Sequence, residues 1–392
     1  MNKKLLMLFA ALYGGQYTVI AFISVALAAI LREQGASLSQ LAILNLILLP
    51  ISARFLWAPL IDRHAHAPDR LYRRFLLPAQ IAMLLGLLLA AQLPPHSAFA
   101  PLAVLLFCYA VLTAKQDSAI DALACTRLAP ETRQTVNAIQ MASGMAGNLL
   151  GGGLLLLSYP HLGWQGSLMT LAALALPASV LLLVVRDPPV LPQKAPPRLP
   201  WRQMWQFWRG NGRWFAVIAC YATAFAPFAL LTPMLIDRQW EKADIGSAVK
   251  IYGSVVSLVA TALFLSWLRR RKPSLMPLSC LFTLCLVAFL PIAFGAGSKI
   301  WGYAAISAYF IGFSPLYIRV NTLMMHKAAA SNTPATLHGI QNAAAMLCGL
   351  LAGAAALWLA DCIGYAPVIL LSATAPLVAA TLARRTVSGD TP

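Results

Sequence analysis

Two aspartates one helical turn apart, Asp117 and Asp121, stand in the run Ala114-Lys115-Gln116-Asp117-Ser118-Ala119-Ile120-Asp121-Ala122-Leu123. Carboxylates four residues apart share one face of a helix. They repel each other when both are ionised and therefore take up and release a proton as a unit. Proton handling is thus the chemistry this pattern offers. The run closes an apolar stretch that begins near Ala98 and is long enough to cross a bilayer. A charge at that depth costs from about 3 to over 10 kcal/mol, so both acids are expected to line a water-filled path or a bundle interior. Basic residues that also fall within apolar stretches are Arg54, Lys115, Lys250 and Arg319.

The elements that must hold these charges are membrane helices. Hydrophobic residues make up 60% of the 392 and charged residues 10%, against roughly 45–50% and 25% in water-soluble domains. Twelve apolar runs recur, each near the length of about 20 residues that a bilayer-crossing helix needs. We place them at 5–31, 39–63, 75–93, 98–123, 135–157, 164–185, 214–235, 246–267, 274–297, 300–325, 335–359 and 365–383. The formal charge of +17 does not indicate nucleic acid, because the basic residues sit in alternate loops. With Met1 inside, inner segments hold 21 of the 29, and outer loops hold Arg32, Arg238, Lys242 and Lys299. That asymmetry puts both termini on the cytoplasmic side. The start Met1-Asn2-Lys3-Lys4 precedes too long an apolar run for a cleaved leader, so it reads as an uncleaved first span. The seven cysteines show no metal-ligand spacing and no Ser/His/Asp or Cys/His arrangement lies within the spans, so no cofactor, metal centre or enzyme is expected.

Along the chain, Gly14-Gly15-Gln16-Tyr17 lies mid-span in the first run, where Gln16 and Tyr17 either face a cavity and touch solute or act as interhelical glue. Ser37 or Ser39 caps the second run. Arg54 lies a little over two turns above Asp62; it snorkels, pairs with an acid of the fourth span, or meets an anionic solute. Ser143, Gly147 and Gly151 form a small-residue face for close helix contact. Residues 186–213 form a proline-broken linker followed by Trp201, Trp205 and Trp208 among Arg202 and Arg209, the pattern of a basic amphipathic helix on the membrane surface. In the seventh run, Pro227 and Pro233 predict a kink or unwound turn. Lys250 reads as snorkelling. Arg319, about six residues inside its run, reads as a functional charge, and His338 as a lone packed or capping histidine.

A shift of 201 residues lays Thr135, Ile139, Gln140, Ala142, Met145, Leu149, Leu150, Gly152 and Leu156 on Thr336, Ile340, Gln341, Ala343, Met346, Leu350, Leu351, Gly353 and Leu357. The fifth span therefore corresponds to the eleventh. The expected architecture is an all-α integral membrane protein of twelve transmembrane helices in two pseudo-symmetric six-helix bundles, residues 1–185 and 214–392, joined by the linker. The same shift sets Arg319 on Ser118, three residues from Asp121. Asp117, Asp121 and Arg319 are thus expected to face one another across a central cavity as a proton-coupling gate. An ion pair that merely neutralises buried charge is the alternative.

Phe55-Leu56-Trp57-Ala58-Pro59-Leu60-Ile61-Asp62-Arg63 and Gln116-Asp117-Ser118-Ala119-Ile120-Asp121-Ala122 together resemble the major facilitator branch that contains muropeptide permeases, acetyl-coenzyme A transporters and single-component siderophore permeases. Asn137-Ala138-Ile139-Gln140, Gly151-Gly152-Gly153 and Leu162-Gly163-Trp164 are most similar to the rhizobactin and pyochelin type of siderophore permease. The family's usual lysine before Leu-Trp-Ala-Pro is Arg54 here, and Ala58 stands where glycine is common. The resemblance implies Gln116, Asp117 and Asp121 as transport residues, with Arg54 alongside. Solute contacts are expected from Arg54, Gln116, Lys115, Tyr17, Gln16, Gln140 and Gln341.

The function this implies is secondary active transport in a bacterial inner membrane, with protons driving uptake of a ferric siderophore or similar anionic small molecule by alternating access. A muropeptide importer and an exporter of drugs or siderophores are the rivals. A non-transporting membrane sensor or assembly protein is disfavoured, since it has no need of intramembrane acids or of a twofold repeat. The partners expected are the small-molecule solute, the lipid bilayer and protons, with no nucleic acid.

Overall fold

The computed structural model describes residues 3–35, 38–64, 71–95, 97–185, 200–271 and 273–387, and they are helical nearly throughout. Among them, eight continuous stretches are long and apolar enough to cross a membrane. One of these, Pro130–Val184, is 55 residues long and holds two spans, the fifth and sixth. With the broken second span, the third at Leu71–Ala90 and the tenth at Lys299–Ala329, they make the twelve of an all-helical integral membrane protein.

Chain punctuation follows the glycines and prolines. Gly163, at φ 62°, ends the fifth span and starts the sixth, because a positive φ reverses the helical sense that L side chains prefer. The second span is not the continuous helix that its hydropathy suggests. It runs as Leu38–Ile47, Leu49–Ser52, a 3-10 turn at Arg54–Leu56, and Ala58–His64. Pro50 and Pro59 each lack the N–H that would carry the α-helical ladder through, so the chain tightens between them. In the seventh span the expected unwound turn is a 3-10 segment, Thr223–Phe225, between Gly212–Ala222 and Ala226–Asp237, with Pro227 at the start of the latter.

The chain divides into two compact units, each described by itself. One comprises Met1–Pro200 with Met325–Gly339, and the other Trp201–Met324 with Ile340–Pro392.

In the first unit, the first span (Lys3–Glu33) packs against the fifth and sixth, and the third packs against the fourth (Phe99–Arg127) and sixth. The small-residue face of the fifth span explains the closest of these contacts. A Cβ on Gly147 would fall 2.6 Å from the backbone of Tyr17, and one on Gly151 would collide with the Thr18 carbonyl. No other side chain fits there. Both helices carry a π turn at this crossing, Phe22–Ala26 and Asn148–Leu154, and the two turns touch. A buried apolar cluster of Phe22, Ile23, Leu27, Ile30, Leu87, Leu102 and Leu168 fills the far half of the unit.

Residues Met325–Gly339 group with this unit because Asp62, 1% exposed at the end of the second span, accepts hydrogen bonds from the N–H groups of Ala335 (2.9 Å) and Thr336 (2.7 Å). These are two of the otherwise unpaired donors of the helix Pro334–Ile363, and a carboxylate also suits the positive end of its dipole. Beside them, Gly339 lets the helix lie against the Phe55 backbone, 3.3 Å from where a Cβ would stand.

In the second unit, the seventh span packs on the twelfth, which also covers the ninth. Tyr309 and Phe313 of the tenth span stack at 5.2 Å within a cluster completed by Phe225, Phe282 and Phe289. Pro200–Gly210 forms a helix, with Trp205 exposed. The proline-rich part of the linker, Ser37 and the side chains of Ser39, Trp201 and Arg202 lie outside the described residues.

Candidate functional site

The 3-10 turn in the second span sets the site. In the 3-10 turn the Arg54 carbonyl accepts from the Trp57 N–H at 3.1 Å instead of an α-helical partner, and the same carbonyl also accepts from the Ser118 hydroxyl at 3.0 Å. Broken backbone at membrane depth is tolerated only where such a partner exists. This anchor brings the Arg54 guanidinium onto the acid-bearing face of the fourth span. Its Nη1 pairs with Asp117 and stands 3.1 Å from Asp121 Oδ2. Asp117 and Asp121 are 3% and 2% exposed, so both carboxylates are buried, while the Arg54 side chain keeps 12% of its surface open.

The remaining carboxylate oxygens are also engaged. Gln16 Nε2 donates to Asp117 Oδ1 at 2.9 Å, and the Tyr13 hydroxyl donates to Asp121 Oδ1 at 3.1 Å. Behind Gln16 runs a chain of amides. Gln80 Nε2 donates to Gln116 Oε1 at 2.8 Å, and Gln116 Nε2 donates to Gln16 Oε1 at 3.2 Å. Every amide in the chain points its N–H toward the acids, so each polarises the next. Five side chains from four spans therefore converge on two carboxylates: Arg54, Gln16, Tyr13, Gln116 and Gln80.

With both acids ionised, two carboxylates and one guanidinium sum to −1; one proton brings the group to zero and a second to +1. In a site of low effective dielectric, each of those steps changes what ion can be held beside Arg54. The arrangement is able to couple the binding of protons to the binding of an anion.

Most residues expected from the sequence fall in this unit. Gln140 Nε2 donates to the Tyr17 hydroxyl at 3.2 Å, and Tyr17 stacks on Tyr13 at 6.1 Å, so both adjoin the carboxylate group. Lys115 does not join it. Two residues before Asp117 is more than half a turn around the helix, and its ammonium lies over the Phe75 ring at 5.4 Å.

Gln341, fully buried in the second unit, accepts from Trp214 Nε1 at 2.6 Å and donates to the Met324 carbonyl at 3.2 Å. Arg319 is also in the second unit, half-buried; among the described residues it makes no ion pair, and its Nε has no hydrogen-bond partner. The arginine that lies between the acids is Arg54. Lys250 is exposed on the π turn Ser247–Tyr252. Sequence reasoning missed Tyr13, Gln80 and Ser118. Tyr13 carried a faint signal, one turn before Tyr17 and on its face.

The chain is similar to known proteins in both sequence and fold. The anhydromuropeptide permease of Escherichia coli K12 is 34% identical over 136 residues, 34% of this chain and 28% of the permease. The chain thus matches under a third of that relative's length. An uncharacterized protein of Haemophilus influenzae is 24% identical over 246 residues, 59% of this chain and 57% of the relative.

Among solved structures, the human organic anion transporter MFSD10 superposes with a TM-score of 0.70 at 14% identity, covering 97% of this chain and all of that one. A bacterial homologue of the iron transporter ferroportin, in an outward-facing state, gives 0.69 at 15% identity over 99% of this chain and all of the other. At such identities these likenesses speak for the fold alone. The sequence model of the Major Facilitator Superfamily matches residues 6–357. With twelve spans, an intramembrane charge group and a family match over nearly the whole chain, this protein is a multi-pass membrane transporter, not an enzyme, and belongs to the Major Facilitator Superfamily.

Proposed function

We propose that this transporter carries an anionic solute inward across a bacterial inner membrane together with protons, by alternating access, and that a ferric siderophore is its solute class. The observation that carries the reading is the single guanidinium of Arg54 held by both Asp117 and Asp121. While the acids are ionised they occupy Arg54. Each proton they bind releases part of that claim, so proton and anion favour each other's binding, which is the linkage a symporter needs. Gln16, Gln116 and Tyr17 supply polar contacts beside the charge. Arg319 is the second unit's candidate for a charge at similar depth, and Gln140 and Gln341 stand at matching positions of the repeat. The distribution of lysine and arginine supports cytoplasmic termini.

A second reading, import of a cell-wall muropeptide, is favoured by the 34% identity to the anhydromuropeptide permease. Whole-cell accumulation of iron-labelled siderophore and of labelled anhydromuropeptide, each with and without a protonophore, separates the two. Siderophore uptake that collapses with the protonophore is the expected result. Muropeptide uptake alone transfers the assignment to the second reading, and accumulation indifferent to the protonophore defeats proton coupling.

A further inference from the structure

Asp121 has one more neighbour, and it comes from the other end of the sequence. Nε2 of His338 lies 3.5 Å from Asp121 Oδ2, the oxygen that also faces Arg54. The imidazole is 1% exposed and the carboxylate 2%, so water does not screen the pair. Nothing about this proximity is accidental to the local packing. Asp62 binds the N–H groups of Ala335 and Thr336, fixing the first turn of the helix Pro334–Ile363. Gly339 then allows that turn to lie against Phe55, the residue after Arg54. His338, between these two contacts, is delivered to the acids by the same segment that carries Arg54. The charged and titratable groups facing it are Asp121 and Asp117 of the fourth span and Arg54 of the second; Tyr13 of the first span reaches it through Asp121.

We propose that His338 is the group with which Asp121 shares its proton, a positioning and relay residue on the eleventh span that completes the Arg54–Asp117–Asp121 site. The step is a simple transfer. The O–H bond of protonated Asp121 breaks, the lone pair of Nε2 takes the proton, and a carboxylate and an imidazolium remain side by side. Imidazole suits this work because its two nitrogens give a proton a way in and a way out. His338 also stands four residues from Pro334, where its helix begins, so it lies between the buried acids and one end of the span. The role deepens the proton-coupled reading above and rests on it.

The test needs no solute. Infrared difference spectra of the purified full-length protein are recorded as pH is stepped, with Asp121→Asn identifying the Asp121 carboxyl band. The relay expects the midpoint of that band to move by about one pH unit or more in His338→Gln, the coupling at which two sites titrate as a pair. It also expects the imidazole ring band of the unmodified protein to titrate in step with the carboxyl. Glutamine keeps the bulk and a polar end, so a packing role alone leaves the midpoint where it was. An unmoved midpoint in a folded His338→Gln protein overturns the relay. Should that variant fail to fold, the ring band of His338 is followed in Asp121→Asn, and a titration identical to that of the unmodified protein overturns it equally. The two readings fail separately. Uptake indifferent to a proton gradient ends the symport while the shared titration stands, whereas an unmoved titration ends the relay while uptake stays gradient-driven.

Discussion

Removing Arg54 gives the sharpest test of the site, because the structure makes its cost conditional on the acids. Arg54→Ala deletes the guanidinium that pairs with two carboxylates 3% and 2% exposed. Breaking a buried pair by removing one partner costs about 3–5 kcal/mol, since the other charge is left uncompensated. Here two charges are stranded, with the Gln16 and Tyr13 donors and the His338 imidazole beside them. We therefore expect Arg54→Ala to lose at least about 3 kcal/mol in reversible unfolding from mild detergent.

In an Asp117→Asn/Asp121→Asn background the same substitution strands nothing. Its cost there should fall to the packing loss of the stem, about 1 kcal/mol. The difference, a coupling of about 2 kcal/mol or more, lies within the range found for residues of one ionic network. Uptake adds a second readout, since all three variants should lose accumulation if the charges are the coupling machinery. Equal costs for Arg54→Ala in the two backgrounds would show that the guanidinium and the acids do not depend on each other, and the account of the site would be wrong.

The amide chain predicts a graded effect: Gln116→Leu strands Gln80 Nε2 and Gln16 Oε1 together, costing about 1–3 kcal/mol per buried unsatisfied group, read as a lowered unfolding midpoint. Asp62→Ala removes the acceptor of two N–H groups of the eleventh span. It should cost about 1 kcal/mol and speed amide exchange at Ala335 and Thr336, measured by mass spectrometry; unchanged exchange there would dismiss the cap. At the crossing of the first and fifth spans, Gly151→Ala should destabilise by about 1–3 kcal/mol, because its methyl would meet the Thr18 carbonyl, whereas Gly14→Ala, with open space around it, should be neutral in the same detergent melt.

How far the sequence reveals such a site depends on which physical signal each residue carries. Asp117, Asp121 and Arg54 announce themselves because charge in an apolar run is costly and needs a reason. Gln16 and Gln116 are visible on weaker grounds, as amides in spans. Lys115, expected among the solute contacts, lies instead over Phe75, because two residues from Asp117 is more than half a turn around the helix. Tyr13, Gln80 and Ser118 send no comparable signal. Tyrosine, glutamine and serine serve as ordinary packing in membrane helices, and only the partner across the interface turns them into ligands of the acids. His338 is hidden for a stronger reason: it lies more than 200 positions from Asp121, and no local pattern brings the two together. The repeat pointed to Arg319 as the acids' partner because it compares equivalent positions in the two halves. The pairing seen in the first unit lies between neighbouring spans of one half, to which a repeat is blind.

Irregular backbone links these observations. Arg54 reaches the acids where the second span tightens into a 3-10 turn between two prolines, and Ser118 holds that turn by donating to the Arg54 carbonyl beside the turn's own hydrogen bond from Trp57. A regular helix through 38–64 would pair that carbonyl four residues on, and would present Arg54 and its carbonyl to the fourth span at a different angle. The turn is therefore the hinge of the electrostatics as well as of the backbone, and the two are separable by mutation. Ser118→Ala removes the anchor while leaving every charge in place. We expect it to cost about 1 kcal/mol in stability, the net worth of one buried hydrogen bond, but to cost more in uptake, because Arg54 loses the fixed position from which it meets both acids. A Ser118→Ala protein with uptake reduced only in proportion to its folded fraction would mean that ion pairing alone places Arg54, and that the broken helix is incidental to transport.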